Sequence, residues 1–150
     1  MRIRALEKGD VDAVIDLVTT TLASFGFSAN VGGLRDDLEH ASERYRAPHA
    51  GFWVADREGA IVGTCAIRPK EGATCELKRL YVRADARGGG VGQSLYEHAE
   101  RFARAAGYER IWLDSSRRFT AARRLYERNG FVLLEELDND WEDNAYEKRL

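Results

Sequence analysis

Between Arg87 and Gly92 the chain reads Arg-Gly-Gly-Gly-Val-Gly, directly after the apolar run Leu80-Tyr81-Val82 and directly before a long helical pattern. Glycine lets a backbone approach a ligand closely. The N–H groups at the start of the helix beyond have no intrahelical acceptor, and the two features together make an anion site, phosphate being the usual anion. A Walker A loop needs a lysine after its last glycine, and none follows Gly92. A dinucleotide fingerprint needs a third spaced glycine in a first βα unit, whereas this loop lies mid-chain. A turn of small residues with no ligand is the remaining reading of the loop taken alone.

The elements that must position this loop follow from periodicity and punctuation. Residues 2–7 alternate in part and read as an edge strand. From Asp10 the positions Val11, Val14, Ile15, Val18 and Leu22 recur at helical spacing up to Gly26, and a weaker helix spans Leu34 to Tyr45 with Leu34, Leu38, Ala41 and Tyr45 on one face. Gly51–Arg57 and Ala60–Arg68 read as a hairpin turning at Glu58-Gly59, with Pro69 to Gly72 as punctuation. Thr74 to Arg83 is the next strand. After the loop come a helix over residues 91–106, a strand over Arg110–Asp114 and a helix over Thr120–Asn129. Phe131–Leu134 and Ala145–Leu150 are closing strands. Antiparallel strands followed by strands alternating with helices predict an α/β fold with a mixed sheet in one domain, residues 1–150.

The chain has 150 residues, 44% of them hydrophobic, enough for one proper core. Nineteen of its basic residues are arginine, yet acids offset them to a net charge of −2, so no basic surplus points to nucleic acid. No apolar run reaches the length of a signal segment or membrane span. Cys65 and Cys75 are expected to be reduced and packed, which together predicts a cytoplasmic protein. His40, His49 and His98 are scattered without ligand spacing, and no metal site is expected.

Arg87-x-x-Gly90-x-Gly92 resembles the Arg/Gln-x-x-Gly-x-Gly/Ala motif of the GCN5-related N-acetyltransferases. Glu76-Leu77-Lys78-Arg79-Leu80-Tyr81-Val82 is similar to that family's fourth strand, and Ala122-x-x-Leu125-Tyr126-Glu127-x-x-Gly130-Phe131 resembles its second signature. The match covers about residues 74–134; the first 70 residues agree in coarse pattern only. Phe119 departs from it, standing three residues before the signature alanine where many relatives carry a polar residue. The resemblance implies a sheet antiparallel in its first half, a parallel pair around the coenzyme A site, and about four flanking helices. It also implies acetyl-CoA as donor and a primary amine as acceptor, attacked directly in a ternary complex.

On that reading the N–H groups from Gly88, Gly89, Gly90, Val91, Gly92 and Gln93 would cradle the pyrophosphate, aided by the helix dipole. The four glycines would be there because a Cβ collides with phosphate, and Arg87 would add a charge-assisted bond. The pantothenate arm would pair with the backbone of Leu80, Tyr81 and Val82 as an added strand. Glu76 stands where some members carry the general base, although a free glutamate needs burial or a water relay to deprotonate an alkyl amine. Tyr126 occupies the slot of the tyrosine that protonates the departing thiolate. Without ligands, Glu76 would be a surface residue, Tyr126 a core tyrosine and Leu80-Tyr81-Val82 plain core strand. Asp114-Ser115-Ser116 ends a strand near the cofactor, with helix capping accounting for the serines.

Glu135-Glu136-Leu137-Asp138-Asn139-Asp140-Trp141-Glu142-Asp143 carries six carboxylates in nine positions. It reads as a solvated loop, or as a field that steers a cationic amine with Trp141 as a contact. A small-molecule amine is the expected acceptor, with a protein or peptide amine as alternative. A non-catalytic, coenzyme A-binding regulatory module is the reading from another class. Relatives in the family are often dimers, so a homodimer fits, though no patch in the sequence argues it.

Overall fold

A computed structural model describes residues 1–29, 31–137 and 142–150. Among these residues seven strands join one sheet: β1 (Arg2–Ala5), β2 (Gly51–Arg57), β3 (Ala60–Glu71), β4 (Thr74–Val82), β5 (Arg110–Ser115), β6 (Val132–Glu136) and β7 (Asn144–Arg149). Their order is β1-β2-β3-β4-β5-β7-β6, so the last strand of the chain inserts between β5 and β6. All neighbours are antiparallel except β4 and β5. Among the described residues five α-helices flank the sheet: α1 (Val11–Ser24), α2 (Leu34–Glu39), α3 (Ala41–Arg44), α4 (Val91–Ala105) and α5 (Thr120–Arg128).

Both faces of the central strands are covered, which is why they read as continuous apolar runs rather than alternating ones. Phe52 and Val54 join a core with Val14, Val18, Leu22, Leu34 and Leu38 of α1 and α2. The intervening Trp53 and Ala55 point the other way, into a core with Leu95, Ala99 and Ala103 of α4 and with Leu125 and Tyr126 of α5. α4 lies close on the sheet because β3 has a glycine beneath it: a Cβ on Gly63 would come within 2.7 Å of Leu95 Cδ1.

Two expectations about boundaries change. The helix expected over residues 34–45 is two pieces, broken at His40 (φ −107°, ψ 14°), whose ring Nδ1 lies 2.9 Å from the Asp36 carbonyl. Leu34, Leu38, Ala41 and Tyr45 are nevertheless all buried together. β3 does not stop at Arg68 but continues through Pro69 to Glu71, because the register shifts between Pro69 and Glu71 and such a bulge tolerates a residue with no N–H. Cys65 and Cys75 are both buried and unbridged, and burial pushes the Cys75 thiol up to about 12. Among the described residues no helix is long and apolar enough to cross a membrane. The edge strand β6 leaves Val132, Leu133 and Leu134 exposed. Residues 138–141 of the acidic segment, Trp141 included, lie outside the described residues.

Candidate active site

The parallel pairing of β4 and β5 lasts for three residue pairs, Thr74 with Arg110, Cys75 with Ile111 and Glu76 with Trp112. Beyond them the strands part, and cavities open in the gap. One, of about 450 Å³, is walled by Leu80, Tyr81 and Val82 of β4, by the glycine loop, by Thr21 and Phe25 from α1 and its end, and by one side of α5. The other is a tight space of about 40 Å³, the scale of a few waters, between Leu77–Tyr81 on one side and Asp114, Ser115 and Ser116 on the other. Tyr126, Phe119, Ala122 and Glu142 complete it.

The glycine loop is a shaped cradle. Gly88 (φ +83°) and Gly90 (φ +82°) take the left-handed conformation that L side chains adopt at a cost. A Cβ on either would meet no protein atom, so the loop needs glycine for its backbone turn before any ligand is considered. Gly92 serves differently: a Cβ there would lie 3.3 Å from Leu125 Cδ1, so its absence lets α4 pack on α5. Gly90 is the N-cap of α4, and the first intrahelical bond runs from the Ser94 N–H to the Gly90 carbonyl. The N–H groups of Val91, Gly92 and Gln93 therefore have no helical acceptor and are available to an anion.

The side chains flanking this cradle hold it rather than reach into it. Arg87 Nε donates to the Val82 carbonyl at 3.1 Å, tying the loop back to the end of β4, with its guanidinium 5.7 Å from the Phe25 ring. Gln93 and Asn129 exchange two amide hydrogen bonds of 2.9 and 2.8 Å, locking the start of α4 to the end of α5. Asn129 was not singled out in sequence; its position just before Gly130 at the helix end was the signal available.

β4 carries a bulge where Thr64 and Ala66 of β3 face Tyr81 and Lys78. Arg79 sits in it at φ +57°, an unusual conformation for a side chain of its size. Three contacts hold it there. Thr64 Oγ1 donates to the Arg79 carbonyl at 2.7 Å, the Arg79 guanidinium bonds Asp37 of α2 at 3.0 Å, and the Tyr45 hydroxyl donates to the same carboxylate at 2.8 Å. Thr64, Arg79, Asp37 and Tyr45 are all buried. Such bulges re-aim strand groups beside sites, and this one sets how Leu80 and Tyr81 face the gap.

Glu76 is buried, and its carboxylate is engaged by Arg68 at 2.8 Å and Lys78 at 3.6 Å. It lines neither cavity, whereas Lys78 lines the smaller one. Tyr126 is 6% exposed, packed against Phe131 and Tyr146, with its remaining edge in the smaller cavity. Burial pushes its phenol above the usual tyrosine range. Asp114 lies on the wall of that cavity. The serines beside it do not cap α5: its N-cap is Phe119, and Ser116 Oγ accepts from the Arg118 N–H in the preceding turn. Glu142, from the segment expected to be solvated, is instead turned inward and hydrogen-bonded to Asp114; burial, then that bond, push its carboxyl up to about 8. Phe119 belongs to an aromatic wall with Phe25, Phe27 and Tyr81, at centroid distances of 4.9, 5.7 and 6.2 Å.

The site is thus a split sheet beside a helix start whose free N–H groups can hold an anion, with Tyr126 and Glu142 on the wall of the adjoining space. A sequence profile of the Acetyltransferase (GNAT) family matches residues 17–131. An uncharacterized N-acetyltransferase of Schizosaccharomyces pombe is 34% identical over 128 residues, covering 84% of this chain and 78% of that protein. A GNAT-family acetyltransferase from Staphylococcus aureus Mu50 superposes with a TM-score of 0.90 at 20% identity, covering 99% of this chain and 98% of the other. The PaiA N-acetyltransferase of Thermoplasma acidophilum, solved with coenzyme A, superposes at 0.77 with 19% identity over 99% and 98% of the two chains. The chain belongs to the GNAT family of acetyltransferases and is an N-acetyltransferase.

Proposed function

We propose that residues 1–150 act as one domain that transfers an acetyl group from acetyl-CoA to the primary amine of a small molecule, by direct attack in a ternary complex. The observation that carries this reading is the parting of β4 and β5 after Glu76 and Trp112, with the start of α4 facing the gap. The donor's chemistry fits what lines it. Val91, Gly92 and Gln93 offer bare N–H groups for a diphosphate, and Gly88 and Gly90 shape the turn around it. The edge of β4 released from β5 at Leu80, Tyr81 and Val82 offers backbone partners to an amide-bearing arm. Arg87 and Gly89 complete the loop, Arg87 through its bond to Val82.

Bound acetyl-CoA supplies an electrophilic thioester carbonyl and a thiolate leaving group. Tyr126 holds the proton that the leaving sulfur takes. Because burial raises its phenol, the hydroxyl stays protonated at any working pH and gives up its proton only as it recovers another. Glu76 acts through its neighbour: its carboxylate, pinned by Arg68, fixes Lys78 at the cavity wall. The tight, charged space at the apex suits the amine end of an acceptor better than a bulky group. The two free, buried thiols suit a reducing, cytoplasmic setting.

The test is incubation of the purified protein with acetyl-CoA and a panel of primary amines, following thiol release, beside calorimetry with coenzyme A. Saturable thiol release with at least one amine is expected. Absence of measurable coenzyme A affinity would overturn the reading.

A further inference from the structure

The acceptor arrives as an ammonium ion, and something in the site must take its proton before nitrogen can attack. Glu76 lines neither cavity, and its carboxylate is committed to Arg68 and Lys78. Glu142 is placed differently. It lines the space at the apex of the split sheet, as do Asp114 from β5, Lys78, Arg79 and Tyr81 from β4, and Tyr126 from α5. The segment carrying it is held from behind. Arg117 donates to Asp143 through its backbone N–H at 2.8 Å and its Nε at 3.0 Å, and the Leu137 N–H bonds the Asp143 carbonyl at 2.7 Å.

We propose that Glu142 and Asp114 receive the acceptor's ammonium group at the apex of the cleft, and that Glu142 is the base that takes its proton. The proposal rests on the acetyl-transfer reading above and names the proton acceptor of that same site. Two hydrogen-bonded carboxyl groups in a confined space hold one proton between them, because a second negative charge there is unfavourable. Lys78 and Arg79 nearby favour ionisation but do not cancel the effect, Arg79 being bonded to Asp37. An ammonium entering the space supplies the missing positive charge, so the shared proton leaves to solvent as the ligand binds. One N–H bond of the ammonium then breaks, its proton forms an O–H bond on Glu142, and the nitrogen keeps the electron pair. The carboxyl pair returns to its one-proton state and the amine is delivered neutral. After attack, the nitrogen loses a second proton as the sulfur gains one, with the Tyr126 hydroxyl donating to sulfur and being reprotonated. The overall reaction releases a single proton, as amide and thiol formation from an ammonium requires.

A carboxyl pushed up by burial and by its Asp114 neighbour is better matched to an ammonium than an ordinary carboxylate. The experiment has two arms. In the first, the carboxyl carbons of the ligand-free protein are titrated by NMR, in the wild type and in Asp114→Asn. Glu142 is expected to titrate near 8 and to drop by more than one pH unit in the variant. In the second, Glu142→Gln is assayed by thiol release with spermidine and with methoxyamine, an amine already neutral at pH 7. The variant is expected to lose roughly 100-fold or more on spermidine. On methoxyamine it should lose less than about 5-fold, since that acceptor has no proton to surrender before attack. A merely structural role would depress both amines equally and would overturn the proposal, as would a Glu142 that titrates like a free carboxylate while amines turn over. Absence of thiol release with every amine tried would instead overturn the acetyl-transfer reading itself.

Discussion

Replacing Asp37 with alanine tests the brace behind the site. The Arg79 guanidinium is 6% exposed at its side chain, and its Nε and Nη2 both lie 3.0 Å from Asp37 Oδ2. Removing the carboxylate leaves a buried cation without its counter-charge and the Tyr45 hydroxyl without its acceptor. Breaking a buried pair from one side costs about 3–5 kcal/mol. For a domain of this size that is a fall in Tm of roughly 6–20 °C. Arg79→Ala should cost less, about 1–3 kcal/mol, because Asp37 keeps the Tyr45 hydroxyl and has Arg44 at 3.8 Å on its solvent side. Urea unfolding followed by the fluorescence of the three tryptophans gives both values. A loss below about 1 kcal/mol in Asp37→Ala would refute the assignment of Arg79 as a cation held by this carboxylate. So would an Arg79→Ala variant less stable than Asp37→Ala.

Tyr126→Phe should lower kcat by roughly 100-fold or more while the calorimetric affinity for coenzyme A changes little, because the hydroxyl serves the leaving group and not the diphosphate. Gly90→Ala forces a Cβ onto a residue at φ +82° and should cost about 1–2 kcal/mol in stability, read by thermal unfolding. It should weaken coenzyme A binding as well, since the same turn aims the N–H groups of α4. At the other end of the sheet, hydrogen bonds from Arg4 hold the carboxyls of Asp10 and Asp56 below the usual range. Their stabilisation is full above the unfolded carboxylate value and is lost as pH falls through the lower folded value. Unfolding midpoints should therefore drop on acidification below about pH 4 in the wild type, and drop less in Arg4→Met.

Local signals made much of this protein legible. The glycine loop, the helix after it and the strand before it rest on spacings of a few residues, and the structure has all three where the pattern puts them. Tyr126 falls on the helix that the spacing predicts, beside Leu125 and ahead of Gly130, which lies just beyond the helix end. Boundaries set by competition were less visible. Leu34, Leu38, Ala41 and Tyr45 satisfy one helical face, yet His40 leaves the helix while the same four side chains stay buried together. Pro69 looked like a stop because a proline lacks the N–H a strand needs, and the bulge beside it removes that objection.

What the sequence by itself determined is the order of elements and the anion-ready turn, since both depend on neighbours along the chain. Tertiary structure alone decided which distant groups meet. The last strand inserts between β5 and β6, Asp37 finds Arg79 across 42 positions, and Glu142 leaves an acidic, water-loving stretch to meet Asp114 on the wall of the smaller cavity. A carboxylate's sequence neighbours show its charge; whether it is solvated, paired or forced to keep a proton depends on burial, which only the folded chain sets.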